Sequence, residues 1–292
     1  MIRTTTSWLA AFPHVTTLLE MSADSRVWVP GPLSSTMNLF AAVHAHAVGV
    51  QVVESAVGAT HAHLTPSALR DALPHRLLAG VHVVVAGDRL TRALHDEAAR
   101  AGVRVSHYYG AAELSFVAWG SHEEDLTPFP EVEVEVRSSE LWVRSPYLCE
   151  GYDGAPGPLR FDDDGFATVG DRGALVDGRV VVTGRGSEAV TTGGATVQVA
   201  DVEHVLRRAV AGDVHVVGVP HPDLGQVVAA VLTESLSLPA ARAASRSSLT
   251  AAQRPRLWCE LRTPPLTASG KVDRAALAEL VTAMGPDVRR LR

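Results

Sequence analysis

The sequence predicts a parallel α/β layer with an antiparallel β portion, followed by a smaller α+β domain. Residues 81–86 form a continuous apolar run, the pattern of a strand buried on both faces, and helical segments lie on either side of it. Residues 132–136 alternate valine with glutamate, which indicates a half-exposed strand. Beyond residue 184 the helices and strands form a shorter set, of a size that suits an independent domain.

The first part of the chain opens with apolar residues at helical spacing, including Trp8, Phe12 and Val15. Gly87 and Asp88 form a turn after the apolar run. The predicted elements are a helix at 1–20, a strand at 26–30, a helix at 36–48, strands at 50–54 and 61–66, a helix at 67–73, a strand at 81–86, a helix at 91–101 and a strand at 103–106.

The middle of the chain is predicted to be antiparallel, because Asp177 and Gly178 make a two-residue hairpin turn. Its strands are expected at 132–136, 140–144 and 174–182. Residues 184–194 resemble a linker, and residues 236–248 are rich in Ala and Ser and are expected to be partly flexible. The last part is predicted to hold a helix at 199–210, strands at 214–219 and 227–233, a helix at 246–253, a strand at 257–261 and a final helix capped by Asp273.

Composition excludes several classes of protein. The chain of 292 residues carries a net charge of −6, which argues against a broad nucleic-acid surface. It has no apolar run long enough to span a bilayer, and its first residues do not resemble a signal peptide. Two distant cysteines, Cys149 and Cys259, favour a reducing compartment, so a cytoplasmic location is expected. The 13 histidines show no HExxH spacing and there is no CxxC, so no histidine-based metal site is predicted.

One lysine stands out among the basic residues. Of the 26 residues counted as Lys and Arg, only Lys271 is a lysine, and it follows the turn-forming residues 267–270. Lysine is a compact charge on a flexible stem, whereas arginine is a planar fork. Two interpretations stay open at this point: a chance survivor in an arginine-rich sequence, or a catalytic lysine on a mobile loop that reaches a substrate anion.

Three further segments carry groups suited to a nucleotide. Tyr109 and Glu113 follow a predicted buried strand, where α/β sheets bind ligands; the aromatic ring suits a base and the carboxylate suits Mg²⁺ beside phosphates. Asp171 ends a Thr-Val-Gly-Asp turn and suits a ribose diol, although a structural turn aspartate is the commoner role of such a residue. Arg185 supplies a fork donor for oxygen atoms.

Taken together and in order, these segments resemble the adenylate-forming superfamily, which includes acyl-CoA synthetases, peptide-synthetase adenylation domains and luciferases. The similarity is greatest to acyl-CoA and o-succinylbenzoate–CoA ligases. The segments that carry it are Tyr109-Gly-Ala-Ala-Glu113, residues 140–152, Val169-Gly-Asp171, Gly184-Arg185, residues 193–203, residues 219–226 and Pro265-Leu-Thr-Ala-Ser-Gly-Lys-Val-Asp-Arg274.

The resemblance implies a truncated N-terminal AMP-binding domain at 1–186 and a small mobile C-terminal lid domain at 187–292 that carries Lys271. It implies that Tyr109 stacks on adenine and that Asp171 binds the ribose with help from Arg185. The nucleotide-binding residues it implies are Gly87, Tyr108, Tyr109, Gly110, Asp171 and Arg185.

The remaining roles follow from the same resemblance. Lys271 would be the catalytic residue, bridging the acyl carboxylate and the α-phosphate. Glu113 would hold Mg²⁺, Gly193 and Gly194 would line a path for CoA, and Ser187 would lie at the hinge. The implied cofactors are ATP or AMP, Mg²⁺ and CoA. The implied partners are a small carboxylic acid and CoA or a carrier-protein thiol; the oligomeric state stays open.

The sequence also departs from the family pattern. It lacks the Gly-, Ser- and Thr-rich phosphate loop that ends in Pro-Lys-Gly, whose amides hold the β- and γ-phosphates. Ala112 replaces a threonine and Ser187 replaces the hinge aspartate. Three functions are therefore weighed: an AMP-forming carboxylate–CoA ligase, a non-catalytic relative that binds AMP or an acyl-adenylate, and a half-enzyme that performs only the thioester step.

Overall fold

The chain folds into helices and three sheets, and the first sheet has seven strands. The computed structural model describes residues 1–185, 189–268, 270–285 and 287–292. The helices are α1 (Thr5–Leu9), α2 (Phe12–Leu18), α3 (Thr36–Ala47), α4 (Pro66–Ala72), α5 (Arg92–Arg100), α6 (Val199–Arg207), α7 (Leu238–Ser248) and α8 (Arg274–Ala283).

The strands fall into three sheets. They are β1 (Arg26–Trp28), β2 (Gln51–Val53), β3 (His61–Leu64), β4 (His82–Val85), β5 (Arg104–Ala111), β6 (Ser115–Gly120), β7 (Thr127–Pro128), β8 (Glu133–Arg137), β9 (Glu140–Arg144), β10 (Arg160–Phe161), β11 (Ala167–Thr168), β12 (Asp171–Val176), β13 (Arg179–Arg185), β14 (Ala189–Thr192), β15 (Ala195–Gln198), β16 (Val214–His221), β17 (Gly225–Leu232), β18 (Leu257–Glu260) and β19 (Arg289–Arg290).

By their contacts the residues form two compact units. The first consists of Met1–Val182 together with Ala268–Lys271, and the second consists of Thr183–Thr267 together with Val272–Arg292. The predicted domain boundary at 186 and 187 lies outside the described residues, so the two predicted domains and their roles stay predictions.

In the first unit the sheet order is β2-β1-β3-β4-β5-β6-β7. The first five strands in that order are parallel, and β6 and β7 continue the sheet in the antiparallel sense. Strand β4 is buried along its whole length, because its two sides pack against different apolar cores. The predicted parallel α/β layer is confirmed.

The second sheet of this unit is antiparallel, as predicted. Its order is β10-β11-β9-β12-β13, and β8 pairs with β9 outside this order. Asp177 and Gly178 form the turn between β12 and β13, both with positive φ, as a type I′ hairpin requires.

The second unit is an α+β structure around β16 and β17, which pair over eight residues. Helices α6 and α7 pack on one apolar core of the sheet, and α8 packs on another. The predicted fold class is confirmed by this arrangement.

Three element predictions were wrong. The helix predicted at 1–20 is two short helices: Thr4 caps α1, and Pro13 stands in the first turn of α2, where a missing N–H costs nothing. Residues 191–194 are no linker but part of the β14–β15 hairpin. Gly193 and Gly194 have φ of +55° and +82°, which suits its two-residue turn.

The third error concerns α7. A helix was predicted at 246–253 and partial flexibility at 236–248, whereas the helix runs from Leu238 to Ser248. Pro239 stands in its first turn, and Ala241 and Ser245, four residues apart, are buried against the core. Small residues there let α7 pack closely against α6, which composition alone did not distinguish from a flexible segment.

Candidate functional site

The hairpin of β5 and β6 presents the aromatic segment. Strand β5 pairs with β4 only as far as His107, so Tyr108 to Ala111 extend past the parallel strands and pair with β6 alone. The register shifts at Tyr109 and Gly110. A Cβ at Gly110 would lie 2.0 Å from the carbonyl oxygen of Ser115, so only glycine fits this bulge.

A cavity of about 280 Å³ lies beside this hairpin in the first unit. Lys271 belongs to this unit by its contacts and lines the cavity. Gly87, at φ +89°, makes the turn after β4, and a Cβ there would lie 3.6 Å from Cε of Lys271. The cavity is lined by Trp8, Ser34, Ser35, Thr36, Met37, Phe40, Thr65, Gly87, Tyr108, Gly110, Ala111, Ala112, Ser115, Phe116 and Lys271.

The loop that carries Lys271 is closed at its base. The amide of Asp273 donates to the carbonyl of Pro265 at 2.8 Å, and Leu266 pairs with Val272 as an isolated antiparallel bridge. The carboxylate of Asp273 accepts from the amide of Ala276 at 3.0 Å and caps α8, as predicted. This closure fixes both ends of the segment that presents the lysine.

Tyr109 and Asp171 are in direct contact. The Tyr109 hydroxyl donates to Oδ2 of Asp171 at 2.8 Å, and only 7% of Asp171 is exposed. Asp171 is the first residue of β12 and follows Gly170, whose φ is +82°. The predicted base-binding and ribose-binding residues therefore lie side by side, although neither lines the cavity of Lys271.

Glu113 lies between two polar anchors. The hydroxyl of Tyr152 donates to its Oε1 at 2.8 Å, and the Arg3 guanidinium donates to the carbonyls of Ala112, at 2.8 Å, and Tyr147. Burial and the bond to Glu113 raise the pKa of Tyr152 to about 12, so its hydroxyl stays a donor at neutral pH. A single fixed carboxylate of this kind fits Mg²⁺, which is held by one or two carboxylates plus phosphate and water oxygens.

Tyr108 takes a different role from its neighbour. Its ring is stacked on Trp119 at 5.9 Å and contacts Phe116 at 4.5 Å, between ring centroids. Burial raises the pKa of its phenol. Phe116 and Trp119 are both buried, and Phe116 alone of the two lines the cavity.

The other predicted site residues lie apart from this group. Arg185 is the last residue of β13, and its side chain lies outside the described part of the chain, as does Ser187. Gly193 and Gly194 form the β14–β15 turn of the second unit. Their role on a CoA path stays a prediction.

Two residues of the site escaped the sequence analysis. Thr65 lines the cavity and caps α4 by accepting from the amide of Ala68 at 3.2 Å. Its Thr-Pro-Ser sequence is a helix-start signal, but nothing in it indicates a cavity. Tyr152, the partner of Glu113, is only the last residue of the segment 140–152 in the sequence, because its contact is 39 residues away.

Within the described ranges, no three His, Cys, Asp or Glu side chains come together as a metal site. No helix in that part of the chain has the length and apolar character needed to cross a membrane. Both cysteines are buried and free.

No protein-family model matches the chain, but it is similar to solved structures and to curated proteins. It superposes on a variant of Escherichia coli MenE with bound OSB-AMS with a TM-score of 0.79 and 26% identity, over 97% of this chain and 66% of that one. The fold is that of the adenylate-forming enzymes, and the expected resemblance is confirmed.

Among curated proteins the chain is a homologue of 2-succinylbenzoate–CoA ligases and acyl–CoA ligases. It is 29% identical to the 2-succinylbenzoate–CoA ligase of Salmonella typhimurium over 77% of this chain and 51% of that protein. It is 33% identical to a probable 2-succinylbenzoate–CoA ligase of Mycobacterium tuberculosis over 67% of this chain and 52% of that protein. The chain thus spans about half the length of these relatives.

Proposed function

We propose that the chain acts as an AMP-forming carboxylate–CoA ligase. The observation that carries the proposal is the cavity of about 280 Å³, in which Lys271 meets Gly87, Tyr108 and Gly110. Gly110 and Lys271 come from two of the segments that carried the resemblance, and Gly87 and Tyr108 are among the nucleotide-binding residues that it implies. The similarity to 2-succinylbenzoate–CoA ligases supports the same reaction class.

In the first half-reaction a carboxylate oxygen bonds to the α-phosphorus of ATP and pyrophosphate leaves, which gives an acyl-adenylate. Lys271 would stabilise the negative charge that gathers between the carboxylate and the α-phosphate. In the second half-reaction the thiol of CoA bonds to the acyl carbon and AMP leaves. A carrier-protein thiol is the alternative acceptor.

The nucleotide would be bound by the first unit. Tyr109 would stack on adenine beside the turn at Gly87, and Asp171 would accept hydrogen bonds from the ribose. The 2.8 Å bond from Tyr109 to Asp171 supports this pairing, because it fixes both side chains before ligand binds. Glu113, held by Tyr152, would bind Mg²⁺, which when bound neutralises phosphate charge.

The acid is expected to be small and partly apolar. Phe40 and Phe116 line the cavity of Lys271, Ser34 and Ser35 line it from the segment before α3, and Thr36 lines it from the start of that helix. This mixture suits an aromatic or other apolar carboxylic acid with a polar substituent.

The test is exchange of labelled pyrophosphate into ATP in the presence of a panel of aromatic and aliphatic acids. Acid-dependent exchange supports the ligase. Absence of exchange with every acid, from protein shown to be folded by circular dichroism, counts against it.

A second function is favoured by one observation, the direct contact between Tyr109 and Asp171, the predicted base-binding and ribose-binding residues. A relative that binds AMP or an acyl-adenylate without turnover needs these two residues but not a catalytic lysine. Calorimetry with AMP distinguishes it, because AMP binding without exchange supports the binding protein. A half-enzyme is distinguished by supplying a synthetic acyl-adenylate and measuring thioester formation with CoA.

A further inference from the structure

Ser115, in the cavity of Lys271, has an unusual backbone conformation. It is the first residue of β6 and lines the cavity from the β5–β6 hairpin. Its φ of +60° lies in the left-handed region, where the Cβ of any residue other than glycine crowds the backbone. Serine at such a position carries a steric cost that glycine does not, and costs of this kind gather at functional sites.

The hairpin explains the conformation of Ser115 but not the choice of serine. The amide of Leu114 donates to the carbonyl of Ala111 at 3.1 Å, and Ala111 pairs with Ser115, so the chain reverses over residues 112–114. A left-handed residue at the end of such a short loop returns the chain to the strand. Glycine meets that need at no steric cost, so the serine side chain requires a reason outside the fold of the hairpin.

The hydroxyl of Ser115 can serve a ligand. The residue is half-buried, and within the part of the chain that the structure describes its hydroxyl has no hydrogen-bond partner. Its backbone pairs with Ala111, and its carbonyl oxygen lies against Gly110, 2.0 Å from a Cβ placed there. The hydroxyl is therefore the polar group that Ser115 can offer to a molecule in the cavity.

The charge of the cavity limits what that molecule can carry. Among the described residues that line the cavity, Lys271 alone is charged. The proposed function assigns Lys271 to the carboxylate that reacts, so a second anionic group would be buried there without a cation. A neutral group with an O–H, N–H or C=O would instead pair with the Ser115 hydroxyl, which both donates and accepts.

We propose that Ser115 selects a monocarboxylic acid whose apolar body bears a neutral hydrogen-bonding substituent. The inference rests on the proposed function, since it takes the cavity of Lys271 as the site of the acid. It adds which group of the acid is recognised and which residue recognises it. Phe116 and Phe40, whose ring centroids are 4.9 Å apart, supply an apolar wall for the body of the acid. The volume of about 280 Å³ limits that body to a small molecule.

The probes are benzoic acid and its monohydroxylated isomers, and calorimetry on the full chain with AMP present measures their binding without turnover. Ser115→Ala removes the hydroxyl and keeps the Cβ, whereas Ser115→Gly removes the hydroxyl and the steric cost together. Ser139 gives the matched controls, because it is an exposed serine with φ of +66° in the turn between β8 and β9. Ser139→Ala and Ser139→Gly make the same two changes at a residue that does not line the cavity.

We expect one hydroxylated isomer to bind the unmodified chain about threefold to tenfold more tightly than benzoic acid, the gain typical of one neutral hydrogen bond. Both Ser115 variants should lose this preference, and both Ser139 variants should keep it. The urea midpoint of Ser115→Gly should not fall, because glycine adopts this φ freely. The proposal is overturned if no isomer is preferred, if the preference survives Ser115→Ala, or if Ser115→Gly lowers the midpoint and so assigns the serine to the fold.

Failure of this proposal differs from failure of the proposed function. Acid-dependent pyrophosphate exchange without any preference that depends on Ser115 leaves the ligase standing and removes selection by this residue. Binding that depends on Ser115, with no exchange by the unmodified chain, removes the ligase and leaves the selection standing, because its readout is binding alone.

Discussion

The hydroxyl of Tyr109 donates a 2.8 Å hydrogen bond to Oδ2 of Asp171, a residue 62 positions later in the chain. The bond joins the β5–β6 hairpin to the start of β12, and so connects the two sheets of the first unit. It also unites the two side chains that were predicted to hold adenine and ribose.

Tyr109→Phe should lower the free energy of unfolding by about 1–3 kcal/mol, because a buried carboxylate loses a donor. Urea denaturation measures the change. Tyr108→Phe is the matched control: its ring contacts remain, and in the described residues its hydroxyl has no hydrogen bond to lose. An equal loss of unfolding free energy in both variants would show that the hydrogen bond to Asp171 does not stabilise the fold.

A buried ion pair holds the helix that follows Lys271. Glu203, 1% exposed, accepts from Arg274 at 2.6 and 3.0 Å, from the amide of Val216 at 2.8 Å and from Arg207. Glu203→Gln should destabilise the second unit by about 3–5 kcal/mol, since two partly buried guanidinium groups lose their carboxylate. Glu133→Gln, which breaks an exposed pair with Arg144, should cost less than about 1 kcal/mol in the same denaturation assay.

The ion pair of Glu203 also predicts how stability depends on pH. Burial raises the pKa of Glu203, but Arg207 and Arg274 outweigh burial and lower the pKa to about 2, from an ordinary 4.5. Because the pKa is depressed in the folded chain, the stabilisation is present above pH 4.5 and is lost as pH falls towards 2. Between pH 4.5 and pH 2, the free energy of unfolding of Glu203→Gln should fall less than that of the unmodified chain, and denaturation at a series of pH values measures both. Identical acid profiles would contradict this assignment.

The buried histidines of the first unit predict a second pH range in which the stability of the chain changes. Burial, with repulsion from His44, His61 and His82, lowers the pKa of His63 from 6.5 to about 3. The unfolded chain therefore binds more protons than the folded chain between these values, and stability falls as pH drops from 6.5.

His63→Leu should reduce this slope by about 1.4 kcal/mol per pH unit near pH 5, because one fewer proton is taken up on unfolding. Urea midpoints at pH 5 and pH 7.5 measure it. A slope unaltered by His63→Leu would contradict neutral burial of this ring.

Much of the architecture was predictable because burial leaves a local pattern. The apolar run at 81–86 became β4, and the Glu-Val alternation at 132–136 became β8 within one residue. The two-glycine turn at 193 and 194 was missed as a hairpin, since its flanking strands are only four residues each. Helix α7 was misplaced because small residues that pack closely resemble small residues in a flexible segment.

The site was predictable as a set of segments and not as a set of contacts. Tyr109, Asp171 and Glu113 were each singled out by position and residue type. The bonds from Tyr109 to Asp171 and from Tyr152 to Glu113 join residues 62 and 39 positions apart. No local pattern records such pairs, since sheet register decides which distant side chains meet.

Lys271 offers the most direct test of the proposed function. The measurement is acid-dependent exchange of pyrophosphate into ATP by the unmodified chain, Lys271→Ala and Lys271→Arg, with folding checked by circular dichroism. We predict exchange in the unmodified chain, a loss of at least about a hundredfold in Lys271→Ala, and poor rescue by the planar fork of arginine. Exchange that is equal in all three proteins, or absent from the folded unmodified chain with every acid, would contradict the account.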